Sequence, residues 1–267
     1  MPRFSANLMF LFQDIPFLDR FKAAADAGFK GVEYQFPYDT PASDILKALE
    51  MNSLEMVLIN APAGDWANGE RGIGALPGRE DEFRKTIEEG IYYATALSCP
   101  RLHVMAGVPG PNVGREVAMS VFADNLKYAS DACADAGIRV LMEPLNPVDV
   151  PNYLISHTMQ ARAAMALVAS NNLYLQYDLY HGGMNGEDIM EMVRSNLEVI
   201  DHMQVAGVPG RHEPNTGDIE FSPIFEALDT MGYAGWIGCE YAPANDTLEG
   251  LTWASVYGIG RPFGAVS

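Results

Sequence analysis

The feature that most limits the folds open to this chain is an alternation of short β-rich runs with amphipathic stretches, repeated from one end to the other. The expected strands are Phe4–Met9, Gly31–Phe36, Leu54–Ala61, Arg101–Gly107, Ile138–Asn146, Leu173–His181, Ile200–Gly207 and Gly235–Pro243. Between them lie segments with helical spacing of apolar residues, such as Pro16–Gly28, Arg79–Leu97, Val117–Ala136 and Phe221–Met231. Several of these close on a glycine that opens the next strand, at Gly28, Gly137 and Gly232, where a helix end favours a left-handed residue. Strict alternation implies a parallel sheet, and eight strands are the number that closes into a barrel. An open doubly wound sheet would need a glycine-rich turn after its first strand, and the residues after Met9 offer none. No Pro/Ser-rich linker or charge run divides the chain. The expectation is an α/β fold, a (β/α)8 TIM barrel, forming a single domain over residues 1–267.

Composition supports this and narrows the partners. Apolar residues make up 48% and charged residues 19%, enough apolar mass for a large core. The formal net charge of −18 repels phosphates and acidic lipid, so a nucleic-acid or membrane role is not expected. An anionic substrate would need a local basic patch to overcome that field. No run approaches the roughly 20 apolar residues of a membrane helix. The apolar run Leu8–Phe12 stops at Gln13 and Asp14, too short for a signal peptide. Cys99, Cys133 and Cys239 are an odd count without metal-site spacing, and they read as buried thiols of a reducing compartment. The expected location is cytoplasmic. A homo-oligomer is compatible with the apolar residues on the helices and is not required by them.

Chemistry in such a barrel sits at the C-terminal ends of the strands. Each expected strand carries a polar side chain near that end: Asn7, Glu33 with Gln35, Asn60, His103, Glu143, Asp178, Gln204 and Glu240. A lone buried polar group without a partner costs a few kcal/mol, so a whole ring of them indicates a site rather than packing. Strand parity puts Gln176 with Asp178, His202 with Gln204, and Gly238 with Glu240 and Ala242; Gly238 is expected to leave space beneath Glu240. Glu143, Asp178, Gln204 and Glu240 come from four consecutive strands and offer only oxygen. That chemistry selects one hard divalent cation, Mg2+ or Mn2+, which would also relieve the repulsion among three carboxylates. His103, His181 and His202 are expected to touch substrate or support the ligands. Arg211 and His212 stand in a Gly/Pro-bounded loop that could wall a pocket. The Gly-rich segment Asn60–Gly78, which carries Arg71, is longer than an ordinary βα loop and is expected to be an exposed lid.

The runs Ala75-Leu-Pro-Gly-Arg-Glu80, His103-Val-Met-Ala-Gly107, Gln204-Val-Ala-Gly207 leading to Arg211-His-Glu-Pro214, and Gly235-Trp-Ile-Gly-Cys-Glu-Tyr241 resemble the hydroxypyruvate isomerase family. That family includes the 2-oxotetronate isomerases and belongs to the xylose-isomerase-like barrels. The resemblance covers nearly the whole chain. It implies that Glu143 and Glu240 are the catalytic pair and that Glu143, Asp178, Gln204 and Glu240 bind the metal. It implies a metal-dependent aldose–ketose isomerase acting on a small hydroxy-carbonyl compound, with hydroxypyruvate to tartronate semialdehyde as the reference reaction. The chain departs from the family after Tyr241, where Ala242-Pro-Ala-Asn245 replaces a longer polar residue, Pro and usually Arg-Gly. That departure removes long polar groups beside Glu240 that could bind a carboxylate, and so brings a neutral sugar into consideration as the substrate. The competing readings are a ketose 3-epimerase, which usually has histidine where Gln204 stands, and a sugar-binding protein without turnover.

Overall fold

The computed structural model describes residues 1–260. The last stretch of the expected domain, residues 261–267, lies outside the described residues. Eight parallel strands pair in chain order and close, the first strand bonding to the eighth. They are β1 Arg3–Asn7, β2 Gly31–Glu33, β3 Glu55–Asn60, β4 Arg101–His103, β5 Arg139–Met142, β6 Leu173–Asp178, β7 Ile200–Val205 and β8 Trp236–Cys239. The helices α1 Phe17–Asp26, α2 Ala42–Asn52, α3 Glu80–Ala96, α4 Arg115–Asp135, α5 Thr158–Val168, α6 Leu179–Met184, α7 Ile189–Asn196 and α8 Ser222–Thr230 lie between strands or follow them. The expected strands all appear, and most run past the observed ladder at their C-terminal ends. There the chain leaves the sheet and its side chains turn to the mouth of the barrel instead of extending the pairing.

Each long helix buries one stripe. In α3 it is Phe83, Ile87, Gly90 and Ala94, an i, i+4, i+7, i+11 series. Gly90 is required by proximity, because a Cβ there would press on the Leu102 side chain of β4. At Gly28 both conformation and space matter: φ is +100°, and a Cβ would collide with the Gly258 carbonyl. Such burial contributes roughly 1.5–3 kcal/mol for each large apolar side chain.

The lumen of the barrel is layered. Val57, Leu58, Leu141 and Trp236, with Tyr174 against them, form a small apolar plug separate from the main core. Above the plug the lumen turns polar: Ser5, Glu33, Gln176, His202 and Gln204 are all buried there. The cysteines are free thiols and are buried. Among the described residues, no helix is long and apolar enough to cross a membrane.

Candidate active site

Asp178 shows how a local signal builds the site. It ends β6 and caps α6, its side chain accepting from the Tyr180 N–H at 2.8 Å. The first turn of α6 then carries His181 back over the cap, and His181 Nε2 comes 3.7 Å from Asp178 Oδ2. The other ring nitrogen is held by Asn146, whose Nδ2 lies 2.7 Å from His181 Nδ1. Glu143 follows β5, with Oε2 3.8 Å from His103 Nε2. Glu143, Asp178 and His181 each place a ligand atom within 4.8 Å of the others.

Glu240 follows β8 and is held on both oxygens. Oε2 accepts from Asn7 Nδ2 at 2.8 Å, Gln35 Nε2 at 3.0 Å and Gln204 Nε2 at 2.6 Å. Oε1 accepts from Arg211 Nη2 at 2.8 Å. Arg211 reaches it from the loop after β7, in a left-handed backbone conformation with φ +53°. Its carbonyl accepts from the Ala242 N–H, which ties that loop to the end of β8. The guanidinium lies between the rings of Phe10 and Tyr180, 5.2 and 4.8 Å from their centroids.

These groups border one cavity of about 230 Å3 at the C-terminal mouth of the barrel. His103, Glu143, His181, Arg211 and Glu240 line it, together with Gln35, Asn60 and Arg71. Phe10, Phe36, Trp66 and Met105 supply an apolar wall; of these, only Met105 falls in one of the runs that carry the family resemblance. Asn146 was missed as well; its place in the Pro-bounded segment after Glu143 was the available signal.

Burial governs the electrostatics. It drives the Glu143 carboxyl well above its ordinary range, helped by the charges of Glu240 and Asp178. It lifts Glu240 to about 8, against the opposing charge of Arg211, and Asp178 to about 6. Desolvation pushes His103 down to about 3 and holds His181 well below normal, so both rings are neutral near pH 7. Glu33 behaves in the opposite way. Burial would raise it, but the neighbouring His202 ring and hydrogen bonds from Gln204 and Ser5 more than offset that, and its pKa lies below normal.

Four expectations change in detail. The space at Gly238 serves Glu33, not Glu240: a Cβ at 238 would collide with the Glu33 carboxylate. His202 is fully buried below the cavity, with Nε2 2.9 Å from Glu33 Oε2 but without the alignment of a hydrogen bond. His212 is exposed, its Nδ1 2.8 Å from the Ala242 carbonyl, and Ala242 itself lies outside the lining of the cavity. The segment 60–78 is not an exposed flap. Gly74 and Ala75 bond back to Met105 and Ala106, Asn125 holds the Gly74 carbonyl, and exposure is confined to the tip at 65–69 and to Pro77 and Gly78. Its many glycines permit close approach rather than looseness: Gly72 lies flat against Met105. Arg71 remains at the cavity, stacked 3.9 Å over Trp66.

The expected metal set is divided by the fold. Glu143 and Asp178 lie together with His181, while Gln204 Oε1 is taken by Gln176 Nε2 at 2.7 Å and Glu240 is held by N–H donors. Glu143 Oε1 and Asp178 Oδ2 are buried and have no hydrogen-bond partner. Buried carboxylate oxygens that lack donors, beside a neutral imidazole, fit a divalent cation.

The family described as Xylose isomerase-like TIM barrel matches residues 21–255. A 2-oxo-tetronate isomerase of Cupriavidus necator is 43% identical over 98% of this chain and 100% of its own length. The hydroxypyruvate isomerase of Escherichia coli is 40% identical over 96% of this chain and 100% of its own. Among solved structures, a protein of Brucella melitensis described as AP endonuclease, family 2, superposes with a TM-score of 0.94 at 43% identity, covering 96% of this chain and 99% of that one.

Proposed function

This chain belongs to the xylose isomerase-like TIM barrel family and is an isomerase, and we propose that it interconverts the aldose and ketose forms of a short 2-oxo or hydroxy acid with a divalent metal, Mg2+ or Mn2+. The observation that carries this reading is the pair Glu143 and Glu240, two buried carboxyls with raised pKa on the wall of one small cavity. A carboxylate made more basic by burial is suited to take a proton from carbon near neutral pH.

In the reference reaction, hydroxypyruvate to tartronate semialdehyde, one glutamate removes a proton from the hydroxyl-bearing carbon. The C–H electron pair forms the C=C bond of an enediolate as the carbonyl π pair moves onto its oxygen. The hydroxyl proton passes to that oxygen, and the other glutamate delivers a proton to the former carbonyl carbon as the new carbonyl forms. The two glutamates regain their starting protonation by exchange with solvent. Neutral His103 lines the same cavity and can hold a hydroxyl oxygen of the substrate without adding charge. Arg71 is the cation assigned to the substrate carboxylate, since Ala242 stands apart and Arg211 is already bonded to Glu240. Phe36 and Trp66 limit the water around the reacting carbons.

Glu143 and Asp178 would hold the metal through their unpartnered oxygens, joined by Glu240 and by Gln204 once the Gln204 amide turned its oxygen from Gln176 to the ion, while His181, whose Nδ1 accepts the Asn146 N–H, would face the substrate. When bound, such an ion polarises the carbonyl and acidifies the adjacent C–H. The test is 1H NMR in deuterated water with Mg2+ or Mn2+ across three- to six-carbon oxo compounds. Turnover of hydroxypyruvate or a four-carbon 2-oxo acid, with solvent deuterium entering at the reacting carbon and loss of both on chelation, is expected. Absence of exchange with every compound, or full activity after exhaustive metal removal, would overturn the proposal.

A further inference from the structure

We propose that Arg79, which does not line the cavity, is a positioning residue for recognition of the substrate carboxylate: by joining Glu70 to the first turn of α3 it holds the tip of segment 60–78 where Arg71 and Trp66 meet the substrate. The inference deepens the reading of Arg71 as the cation for that carboxylate and rests on it.

Arg71 takes its aim from the tip. Its Nη1 donates to the carbonyls of Glu70 at 2.8 Å and Trp66 at 3.3 Å, and the guanidinium lies 3.9 Å over the Trp66 ring. Trp66 in turn packs on Phe36 with ring centroids 4.9 Å apart. A shift of the tip therefore moves charge and ring together. Backbone bonds close the neck of the tip, from the Gly72 N–H to the Ala63 carbonyl and from the Glu70 N–H to the Asp65 carbonyl, both at 3.0 Å. Residues 65–69 are exposed, so apolar burial does little to hold them. The side chain that fastens them is Glu70, whose Oε2 accepts from the Asp65 N–H at 2.6 Å. Gly64 makes the room: its φ is +83°, and a Cβ there would collide with Glu70 Oε2.

Arg79 stands at the N-terminal cap of α3, the end of a helix that disfavours a cation. Its charge answers two carboxylates instead. Nε and Nη2 donate to Glu82 Oε2 and Oε1 at 2.7 and 2.6 Å, which fixes the guanidinium to the first turn of α3. Nη1 donates to Glu70 Oε1, and Nη2 also reaches Glu70 Oε2 at 3.2 Å. The planar fork of arginine serves both carboxylates at once, a geometry that the point charge of lysine lacks. The helix behind it is anchored to the barrel by buried Phe83, Ile87, Gly90 and Ala94. Contact thus runs from α3 through Arg79 and Glu70 to the tip and Arg71, and the run Ala75–Glu80 acquires a part in the site. The side chains of Arg79 and Glu70 are 30% and 28% exposed, so the pair adds little to global stability. Its effect falls on where the tip stands.

The test measures steady-state kinetics on an acid substrate for Arg79→Ala, Arg79→Lys, Arg71→Ala and the double variant Arg71→Ala/Arg79→Ala. Acrylamide quenching of Trp66, taken as the difference from a Trp66→Phe counterpart, supplies a readout independent of turnover. Arg79→Ala should raise KM about fivefold, the factor that a partly exposed ion pair can supply, with kcat within about twofold and the thermal midpoint unchanged. Arg79→Lys should recover part of that loss. In the Arg71→Ala background the Arg79→Ala change should add nothing further to KM, because the two residues act in series. Trp66 should become more open to quencher in Arg79→Ala. An unchanged KM, the same added factor in both backgrounds, a fall in kcat alone, or wild-type quenching of Trp66 would each overturn the inference. Should Arg79→Ala not fold, Glu70→Gln loosens the clamp from its other side; the same rise in KM is expected, and an unchanged KM counts against the proposal equally. A wild type that turns over only neutral compounds removes the reading of Arg71 and this inference with it, whereas an acid-active wild type matched by Arg79→Ala sinks this inference alone.

Discussion

The two faces of the barrel wall are equally dry and opposite in character. On the helix side, Ala6, Val32, Leu102, Val140, Leu175 and Met203 merge with Phe21, Ile45, Ile87 and Phe122 of the helices into one apolar core. On the lumen side, above the plug around Trp236, Ser5, Asn7, Glu33, Gln176, His202 and Gln204 are buried to the same degree and joined mostly by hydrogen bonds. Apolar contacts have no direction, so losing one lowers stability and leaves the others in place. A buried polar network is directional: the orientation of each amide depends on its neighbour, and a substitution there changes geometry first. The outer face holds the fold; the inner face holds the position of two glutamates.

The largest separation of these roles is expected at the glutamates. Glu143→Gln and Glu240→Gln should each lose at least about two orders of magnitude in kcat, the usual scale for a general base. Their thermal midpoints should equal or exceed wild type near pH 7, because burial already disfavours the charged carboxyl at both positions. Near-wild-type turnover would remove that glutamate from the chemistry, and a collapsed midpoint would erase the contrast between the faces. Ile87→Ala, on the outer face, should do the reverse. It should cost roughly 2–5 kcal/mol in denaturant unfolding while kcat and KM stay within about twofold. A selective loss of kcat in that variant would mean that packing and chemistry are not separable.

Smaller effects sharpen the picture at the cavity rim. Asp178→Asn should weaken Mn2+ binding in calorimetry with little change in fold; an unaltered titration would move the metal elsewhere. Arg71→Ala should raise KM by roughly tenfold, the scale of a lost charge-assisted hydrogen bond, with the midpoint nearly constant. An unchanged KM for an acid substrate would free Arg71 of its assignment.

The smallest effect concerns the tip of segment 60–78. Glu70 accepts from Arg79 and from the Asp65 N–H, and the Arg79 hydrogen bond holds its pKa below the unfolded value. A lowered folded pKa means that the contribution is complete above the unfolded value of about 4.3 and is lost as pH falls through the folded one. Trp66 fluorescence, read as the difference between wild type and Trp66→Phe, should therefore change only in acid, before the barrel melts. A transition near neutral pH would show that another group holds the tip.

The sequence by itself determined the number and order of the elements, because apolar periodicity and helix-ending glycines are local signals. It also determined which strands end in polar side chains, and so where chemistry could stand. Parity along a strand says which way a side chain points, but not how far it lies from one on another strand. That distance comes from closure of the barrel, which brings Asn7 and Glu240, 233 residues apart, to 2.8 Å. Closure alone put Glu33 into the space at Gly238, set His202 below the cavity and His212 outside it, and joined His181 to the carboxylates through the α6 cap. It also pinned segment 60–78 to the end of β4, where glycines that read as slack in one dimension serve close packing in three. Local pattern fixes direction, and only the closed sheet fixes distance, on which both the hydrogen bonds and the raised carboxyl pKa values depend.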